Sequence, residues 1–466
     1  MKISFFIRAA AGKAVFFVVL SVFLSCAGTP KAPPPETYYV RADGSDQNDG
    51  LSEQTPFRTL FKAMTAASNA DIKTITLLGS LDVLSERSSN SERVFIIQGT
   101  GKDLITIRGK DSGGKAVLSG AGAGRRVILV KGISHICFEN VEISGGSSAG
   151  EGGGIGIGGG SQVILGGGTV ITGNRSETVG GGIAVAPGGV LYIRGASVSG
   201  NVSLGVGGGI AAVGKDTVLV MEAGEIRENK AEGGGGVAVY EGGVFALKGG
   251  VVSGNQASIA GGGVVLNRGA ALTMEGGGIN GNTSAGSGGA LALIDNCTFT
   301  LLDGELANNA GGEYGGAVAA DHTAALVLRG GSIRGNSAGV HGGGIFSSGV
   351  LFKAPESLCV IYGNDAPAEN ANSARQGSAV YISRDGYGDM IRERSAGAGT
   401  LLDSARADGG WQENAGLLDT EAEMNEADEV VNEVNIETEP DTEVPENTDG
   451  TTGEEFSQEA KDELSE

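Results

Sequence analysis

The chain has 466 residues, of which 85 are glycine, and a formal net charge of −22. Glycine shows no Gly-X-Y period, which excludes a collagen triple helix, and no basic stripe with interleaved aromatic residues indicates nucleic acid as a partner. The segment between Leu401 and Glu466 contains 22 acidic and two basic residues and supplies −20 of the net charge. The rest of the chain is therefore nearly neutral.

Residues 1–26 have the features of an export signal. Three basic residues precede an 11-residue apolar stretch, Ala14–Leu24, which is too short to span a bilayer. The letters FLSCA at 23–27 resemble a bacterial lipobox, with Phe in place of the usual Leu. The resemblance implies that Cys26 is the lipid acceptor and that the membrane is a partner through this lipid. Cleavage by ordinary signal peptidase after Ala27 is the alternative.

A Pro-rich tether at 27–37 precedes an N-terminal cap and the first irregular coils at 38–150. Phe57, Leu60, Phe61 and Met64 share one helical face, and Thr55-Pro56 has the residue types of an N-cap and a first helical position. We expect this helix to cover the apolar end of the stack, because an uncovered end leaves strand groups free to pair with other chains.

A repeat of about 27 residues dominates 151–411, the predicted regular and closing coils. The apolar residue after each glycine cluster recurs at Ile183, Ile210, Val237, Val264, Leu291, Val318 and Ile345. A fixed period of this size indicates stacked units that bury their apolar sides against one another. Runs of two to five alternating residues, broken by glycine, predict three short strands and three turns per unit. The sequence therefore predicts an all-β parallel β-helix with about 27 residues per coil.

A second column has an apolar residue followed three positions later by Asn. Its members are Asn174, Asn201, Asn229, Asn255, Asn282, Asn309, Asn336 and Asn364. Asn tolerates the left-handed region, and its amide can bond to the next coil, so we interpret the column as a structural ladder. A ligand-binding ladder is the alternative.

A turn column carries charges of alternating sign at Glu241, Arg268 and Asp295, which occupy the same position in successive repeats. Two interpretations remain open. One is a solvated charge ladder that fixes the register of the coils. The other is an acid–base group in which Asp295 is joined by Asp321, His322 and His341.

The remaining cysteines, Cys137, Cys297 and Cys359, are odd in number and show no metal-ligand spacing. We interpret them as small core residues, and we predict no metal site, no cofactor and no catalytic residue. The acidic segment 412–466 is predicted to be a disordered tail, and a role in binding cations or a partner stays open.

The two columns resemble a known repeat. GGGI, GGGV or GGAL followed by [IVL]-x-x-N, within 152–364, resembles the repeats of chlamydial polymorphic outer-membrane proteins, whose motifs are GGA[ILV] and FxxN. Here Ile, Val or Leu replaces the aromatic residue, and we expect a lipoprotein without the autotransporter barrel of that family. The segment Tyr38–Ala67 resembles the entry segment of pectate-lyase-like proteins, which implies a right-handed β-helix.

Two functions follow from this organisation. The first is a non-enzymatic, lipid-anchored protein of the outer membrane or cell surface, with an adhesin-like, host-contact or structural role and a host or extracellular glycan or protein as ligand. The alternative is a polysaccharide-binding or polysaccharide-degrading protein. A hydrolase needs carboxylates that converge in a groove, and the nearly constant turns leave room for one only within 108–132 and 350–410.

Overall fold

The structure is a computed structural model that describes residues 36–83, 95–110, 115–120, 124–353, 357–363, 366–383 and 390–392. These residues form a nearly all-parallel β-solenoid of about nine turns, with about 27 residues per turn and very little helix. The predicted all-β coil stack is therefore confirmed. The export signal with Cys26, most of the tether, Asn364 and the acidic tail lie outside the described residues.

The described strands form three sheets. Sheet 1 contains Tyr38–Val40, Thr74–Leu77, Leu81–Asp82, Gly101–Gly109, Ala116–Ser119, Ser134–Glu139, Val141–Ser144, Gln162–Leu165, Val170–Thr172, Val190–Ser199, Val218–Arg227, Val244–Leu247, Val251–Ser253, Ala271–Met274, Gly278–Asn280, Thr298–Leu301, Glu305–Ala307, Ala325–Leu328, Ser332–Arg334, Val350–Lys353 and Val360–Ile361. Sheet 2 contains Phe95–Gln98, Ile128–Lys131, Ile155–Ile157, Ile183–Val185, Ile210–Val213, Val237–Tyr240, Val264–Asn267, Leu291–Ile294, Val318–Ala320, Ile345–Ser347, Val380–Ile382 and Met390–Arg392. Sheet 3 contains Ser147–Ser148, Arg175–Ser176, Val202–Ser203, Lys230–Gly233, Gln256–Ala260, Thr283–Ser284, Ala310–Gly311 and Ser337–Ala338.

The regular coils between 155 and 338 each have four straight segments, one more than the sequence predicts. One coil runs from Ile183–Val185 in sheet 2 to Val190–Ser199 in sheet 1, then to Val202–Ser203 in sheet 3. The sheet 1 strand bends at Gly195, which has a φ of 97°, a backbone conformation that residues with a side chain rarely adopt. In most coils this bend divides the sheet 1 strand in two, which a count of apolar runs does not reveal.

The predicted apolar columns point into the solenoid. Ile183 pairs with Ile210, which pairs with Val237, and all three side chains are fully buried. The column before the asparagines behaves in the same way, since Ile171 pairs with Val198 and both are fully buried. The interior is thus a set of aliphatic ladders with one residue contributed by each coil, as predicted.

The glycine clusters are required for two different reasons. Gly207 has a φ of 67°, which most side chains disfavour. A Cβ atom at Gly208 would clash with the carbonyl oxygens of Gly235 and Lys230 in the next coil. The first glycine therefore allows the chain to turn, and the second allows successive coils to approach each other.

An amphipathic helix, Leu60–Ser68, packs at the N-terminal end of the stack, against the first two strands of sheet 1. The predicted N-cap, Thr55, is wrong. Thr59 is the N-cap, because its hydroxyl accepts a hydrogen bond from the backbone N–H of Lys62. The backbone N–H and the hydroxyl of Thr59 in turn donate hydrogen bonds to the Asp46 carboxylate. Phe57 is therefore a buried loop residue, and Phe61 is exposed on the outer side of the helix.

At the other end of sheet 2, Val380–Ile382 pairs with Ile345–Ser347 and is followed by the antiparallel strand Met390–Arg392. Within the described part of the chain, no helix is long and apolar enough to cross a membrane.

Candidate functional site

The asparagine column forms a continuous ladder at the turn between sheet 1 and sheet 3. The described members from Asn174 to Asn336 are all buried. In each link, the side-chain oxygen of one asparagine accepts hydrogen bonds from both the backbone N–H and Nδ2 of the preceding asparagine. The links join Asn174 to Asn201, Asn201 to Asn229, Asn229 to Asn255, Asn255 to Asn282, Asn282 to Asn309, and Asn309 to Asn336.

The second proton of each carboxamide is also used within the protein. Nδ2 of Asn255 donates to the carbonyl oxygen of Ile226 at 2.9 Å, and Nδ2 of Asn282 donates to that of Val252 at 2.9 Å. Both donors and the acceptor of a mid-ladder amide therefore have partners inside the wall of the solenoid. This arrangement stabilises the turn and presents no amide group to a ligand.

We expected the asparagine to adopt the left-handed conformation in this turn. The structure shows that the residue before it does so instead. Gly200 has a φ of 64°, and Gly254 has a φ of 63°. Two coils place a larger residue at this position, Glu228 with a φ of 56° and Asn308 with a φ of 57°. The asparagine side chain is thus selected for its hydrogen bonds and not for its backbone conformation.

The ladder continues from Asn336 to Asn372, and not to the predicted Asn364. Asn336 donates from its backbone N–H and from Nδ2 to Oδ1 of Asn372, at 2.8 and 2.9 Å. Asn364 itself lies outside the described residues. The apolar residue before it, Ile361, does pair with Ile333, so the period holds up to Ile361 and the turn after it is longer than in other coils.

In the charged turn column, Arg268 forms an ion pair with Glu241, with 3.3 Å between guanidinium and carboxylate atoms. The next member of the column, Asp295, is hydrogen-bonded to the turn of the following coil. Its backbone N–H donates to Oδ2 of Asp321, while Oδ1 of Asp321 accepts from the backbone N–H groups of Thr323 and Ala324. Asp321 therefore organises a turn, in agreement with the register-fixing interpretation of the column.

The structure does not assemble the acid–base group considered from the sequence. Asp295 and Asp321 follow their sheet 2 strands, whereas His341 precedes its own strand, Ile345–Ser347. The His341 ring stacks on Tyr381, with 4.1 Å between ring centroids, and on Tyr314 at 5.8 Å. His341 thus belongs to an aromatic cluster on the side where the sheet 2 strands begin, whereas Asp295 and Asp321 lie where these strands end. His322 is exposed.

The three described cysteines are buried and are not in disulfides. Burial raises the pKa of Cys137 to about 11, and the nearby Glu139 carboxylate adds to this effect. Burial also raises the pKa of Cys297 and of Cys359 to about 12. A thiol with such a pKa is a poor nucleophile. Cys297 and Cys359 are residues of the apolar core, whereas Cys137 lies between the inward Ile136 and Phe138 and is a buried residue on the outer side of sheet 1.

Across the described ranges, no group of three or more His, Cys, Asp or Glu side chains is placed to hold a metal ion. The feature that we did not anticipate is the outward side of the first strand that each coil contributes to sheet 1. There Arg194 lies over the Tyr192 ring, at 5.0 Å, and pairs with Glu222 of the next coil at 3.1 Å. The signal was present in the sequence as a further set of positions that recur once in every coil.

No family model and no curated protein matches the chain. Among solved structures, the chain is similar to the GH136 lacto-N-biosidase from Eubacterium ramulus, with 12% sequence identity and a TM-score of 0.32. That similarity covers 75% of this chain and 68% of the lacto-N-biosidase chain.

Proposed function

We propose that this protein is a lipid-anchored β-solenoid of the bacterial outer membrane or cell surface, with a non-enzymatic, adhesin-like or structural role. Cys26 is its lipid acceptor in this proposal, and a host or extracellular glycan or protein is its ligand. The observation that carries the proposal is the uniform wall of the coil stack between 155 and 345, where successive sheet 2 strands begin at nearly constant intervals.

Such a wall suits a role in spacing and display. The interior is aliphatic, and the buried amides of the ladder are paired with one another and with backbone carbonyls. The glycine turns lie so close to the next coil that a side chain does not fit, so the outline of one coil repeats that of its neighbour. Regular coils of this kind provide an extended lateral surface for contact with a large partner.

The anchor is tested by the partition of the protein between cell fractions. Wild-type protein and a Ser25→Ala variant, which keeps a small residue before Cys26, should enter the detergent phase and the membrane fraction. Cys26→Ala should move to the aqueous phase. An unchanged detergent phase for Cys26→Ala would contradict lipidation at this residue.

Exposure and activity are tested separately. Protease added to intact cells should remove the wild-type protein, which would place it on the outer surface, and cells with Cys26→Ala should bind fewer host or matrix ligands. The purified protein should release no sugar from a panel of polysaccharides. Release of reducing ends or unsaturated sugars would overturn the non-enzymatic role while leaving the anchor intact.

A further inference from the structure

The outward side of the first strand that each coil contributes to sheet 1 forms a face that runs along the stack. It includes eight successive coils from Ser134–Glu139 to Ala325–Leu328, and Gly101–Gly109 and Val350–Lys353 continue it at the two ends. In the strand Val190–Ser199, Leu191 and Ile193 point inward and are fully buried, so Val190, Tyr192 and Arg194 point outward. The same alternation in the other coils gives three outward columns, which together we call the outer face.

The first column contains His135, Gln162, Val190, Val218, Val244, Ala271, Thr298 and Ala325. The second contains Cys137, Ile164, Tyr192, Val220, Ala246, Thr273, Thr300 and Val327. The third contains Glu139, Gly166, Arg194, Glu222, Lys248, Glu275, Leu302 and Arg329, which each follow the strand residue of the inner ladder.

The first two columns contain no carboxylate and no Lys or Arg across the eight coils. Most of their side chains are Val, Ala, Thr or Ile. In the single chain the members of the first column are half-buried, and those of the second column, apart from Ile164, are buried by their neighbours. Tyr192, Val220 and Ala246 form a small apolar cluster on this face, together with Ile164 and Val190. A smooth apolar strip of this kind is typical of a protein–protein contact.

The third column has an order of charges that is its own complement when reversed. From the first coil to the eighth, the signs are negative, neutral, positive, negative, positive, negative, neutral and positive. Reading from the eighth coil back to the first inverts every charge and leaves the two neutral positions in place. A two-fold axis between the fourth and fifth coils therefore opposes unlike charges at every charged position.

We propose that the outer face binds a second copy of this chain in antiparallel orientation, about a two-fold axis between Glu222 and Lys248. A two-fold axis in the plane of the contact places each column against itself, in the reverse direction. The charged pairs between the copies are Glu139 with Arg329, Arg194 with Glu275, and Glu222 with Lys248. The neutral Gly166 is opposite Leu302, where the absence of a side chain leaves space for the leucine.

The apolar columns match in the same register. Tyr192, the largest side chain of the second column, is opposite Thr273, and Gln162 is opposite the hydroxyl of Thr298. At the centre of the first column, Val218 is opposite Val244. The largest side chain thus meets a smaller one and Gln162 meets a hydroxyl group, while His135 is opposite Ala325 and Ile164 is opposite Thr300.

The charges exclude the neighbouring registers. A shift of the axis by half a coil in one direction places Glu222 opposite its own copy and Arg194 opposite Lys248. The same shift in the other direction places Lys248 opposite its own copy and Glu222 opposite Glu275. Since surface ion pairs contribute little affinity, the third column sets the register, and the apolar strip provides most of the attraction.

The area is close to what a specific contact needs. Eight coils at the strand spacing of about 4.8 Å, with three outward positions per coil, give a face of about 38 Å by about 18 Å, or roughly 700 Å² per copy. Specific interfaces bury about 800 Å² per partner. We expect a dimer that dissociates in the micromolar range and weakens as salt screens the third column.

The test uses the full chain secreted as the Cys26→Ala variant, so that no lipid drives association, and measures mass by sedimentation equilibrium. The unmodified face should give a dimer. Lys248→Glu alone and Glu222→Lys alone should each weaken it by about tenfold or more, because two like-charged contacts arise at the two-fold axis. Mixing these two variants should restore a heterodimer, since each contact at the axis then joins opposite charges.

Lys230→Glu, on the exposed side of sheet 3, is the matched control and should leave the dimer unchanged. Disulfide trapping gives an independent readout: Val218→Cys mixed with Val244→Cys should cross-link, and neither variant should cross-link with itself. A monomer at 100 times the expected dissociation constant would overturn the proposal. So would cross-linking of Val218→Cys with itself, or a mixture of the two charge variants that stays as weak as each alone.

Discussion

Oδ1 of Asn282 accepts two hydrogen bonds from Asn255, one from the backbone N–H at 3.0 Å and one from Nδ2 at 2.9 Å. Asn255 in turn accepts the same two bonds from Asn229 in the preceding coil. Each asparagine therefore links three coils, and its side chain is an element of the wall rather than a group on the surface.

Replacement of Asn255 by Leu, which is similar in size, should destabilise the protein strongly. The change leaves the N–H and Nδ2 of Asn229, the Ile226 carbonyl and Oδ1 of Asn282 with fewer partners in a buried turn. At about 1–3 kcal/mol for an unsatisfied buried group, we expect a loss of at least about 3 kcal/mol in the free energy of unfolding. Guanidinium denaturation measures this loss. A change below about 0.5 kcal/mol, the size expected of a neutral surface substitution, would contradict the structural role.

Asn267 provides the opposite case within the same stack. It lies between Tyr240 and Ile294 on sheet 2, is 2% exposed, and has no described hydrogen-bond partner for its Oδ1. Asn267→Leu should stabilise the protein by about 0.5–1.5 kcal/mol, because it removes an unsatisfied buried oxygen and adds apolar contact. A loss comparable to that of Asn255→Leu would show that Asn267 has a bonding role that the structure does not contain.

Glu228 is a strained position that glycine should improve. Its φ of 56° is the conformation that Gly200 and Gly254 adopt at the same place in other coils. Glu228→Gly should raise the free energy of unfolding by up to about 1 kcal/mol through relief of this strain. Glu177→Gly, at an exposed residue with ordinary φ, should lower it, and equal effects of the two changes in thermal and chemical denaturation would exclude the strain.

The native cysteines should resist alkylation at pH 8. With pKa values of about 11 for Cys137 and about 12 for Cys297 and Cys359, the neutral thiol is the stable form. The thiolate fraction is then about one in a thousand for Cys137 and about tenfold lower for the other two. Iodoacetamide labelling followed by mass spectrometry should modify Cys137 first as pH rises, and all three rapidly in guanidinium. Fast labelling of Cys359 in the folded state would contradict its burial.

The coil stack was predictable because its main cause is local. Ile183 and Val185 alternate with a small residue, and the repetition of that pattern at a fixed period requires stacking whatever the details of the turns. The inward direction of Ile210 follows from the same pattern, since a one-residue slip would place it in water.

The errors concern residues whose environment is built by distant parts of the chain. Thr55 and Thr59 both resemble helix N-caps, and the choice of Thr59 depends on Asp46, 13 residues earlier. Asn364 satisfies the local motif, but the chain continues through a longer turn and returns with Asn372 at the ladder. His341 and Asp321 are likewise separated by the length of a sheet 2 strand, which the sequence spacing of the two residues alone does not reveal.

The ladder also has a direction, since each carboxamide accepts from the coil before it and donates toward the coil after it. A segment cut at equivalent points, such as 256–282, contains one ladder asparagine. Its Oδ1 accepts from the preceding segment, and its N–H and Nδ2 donate to the following one. Removal or duplication of the segment would therefore rejoin compatible ends, and the molecule would become shorter or longer by one strand spacing. Unequal recombination between such segments would change the length of the solenoid during evolution without changing its fold.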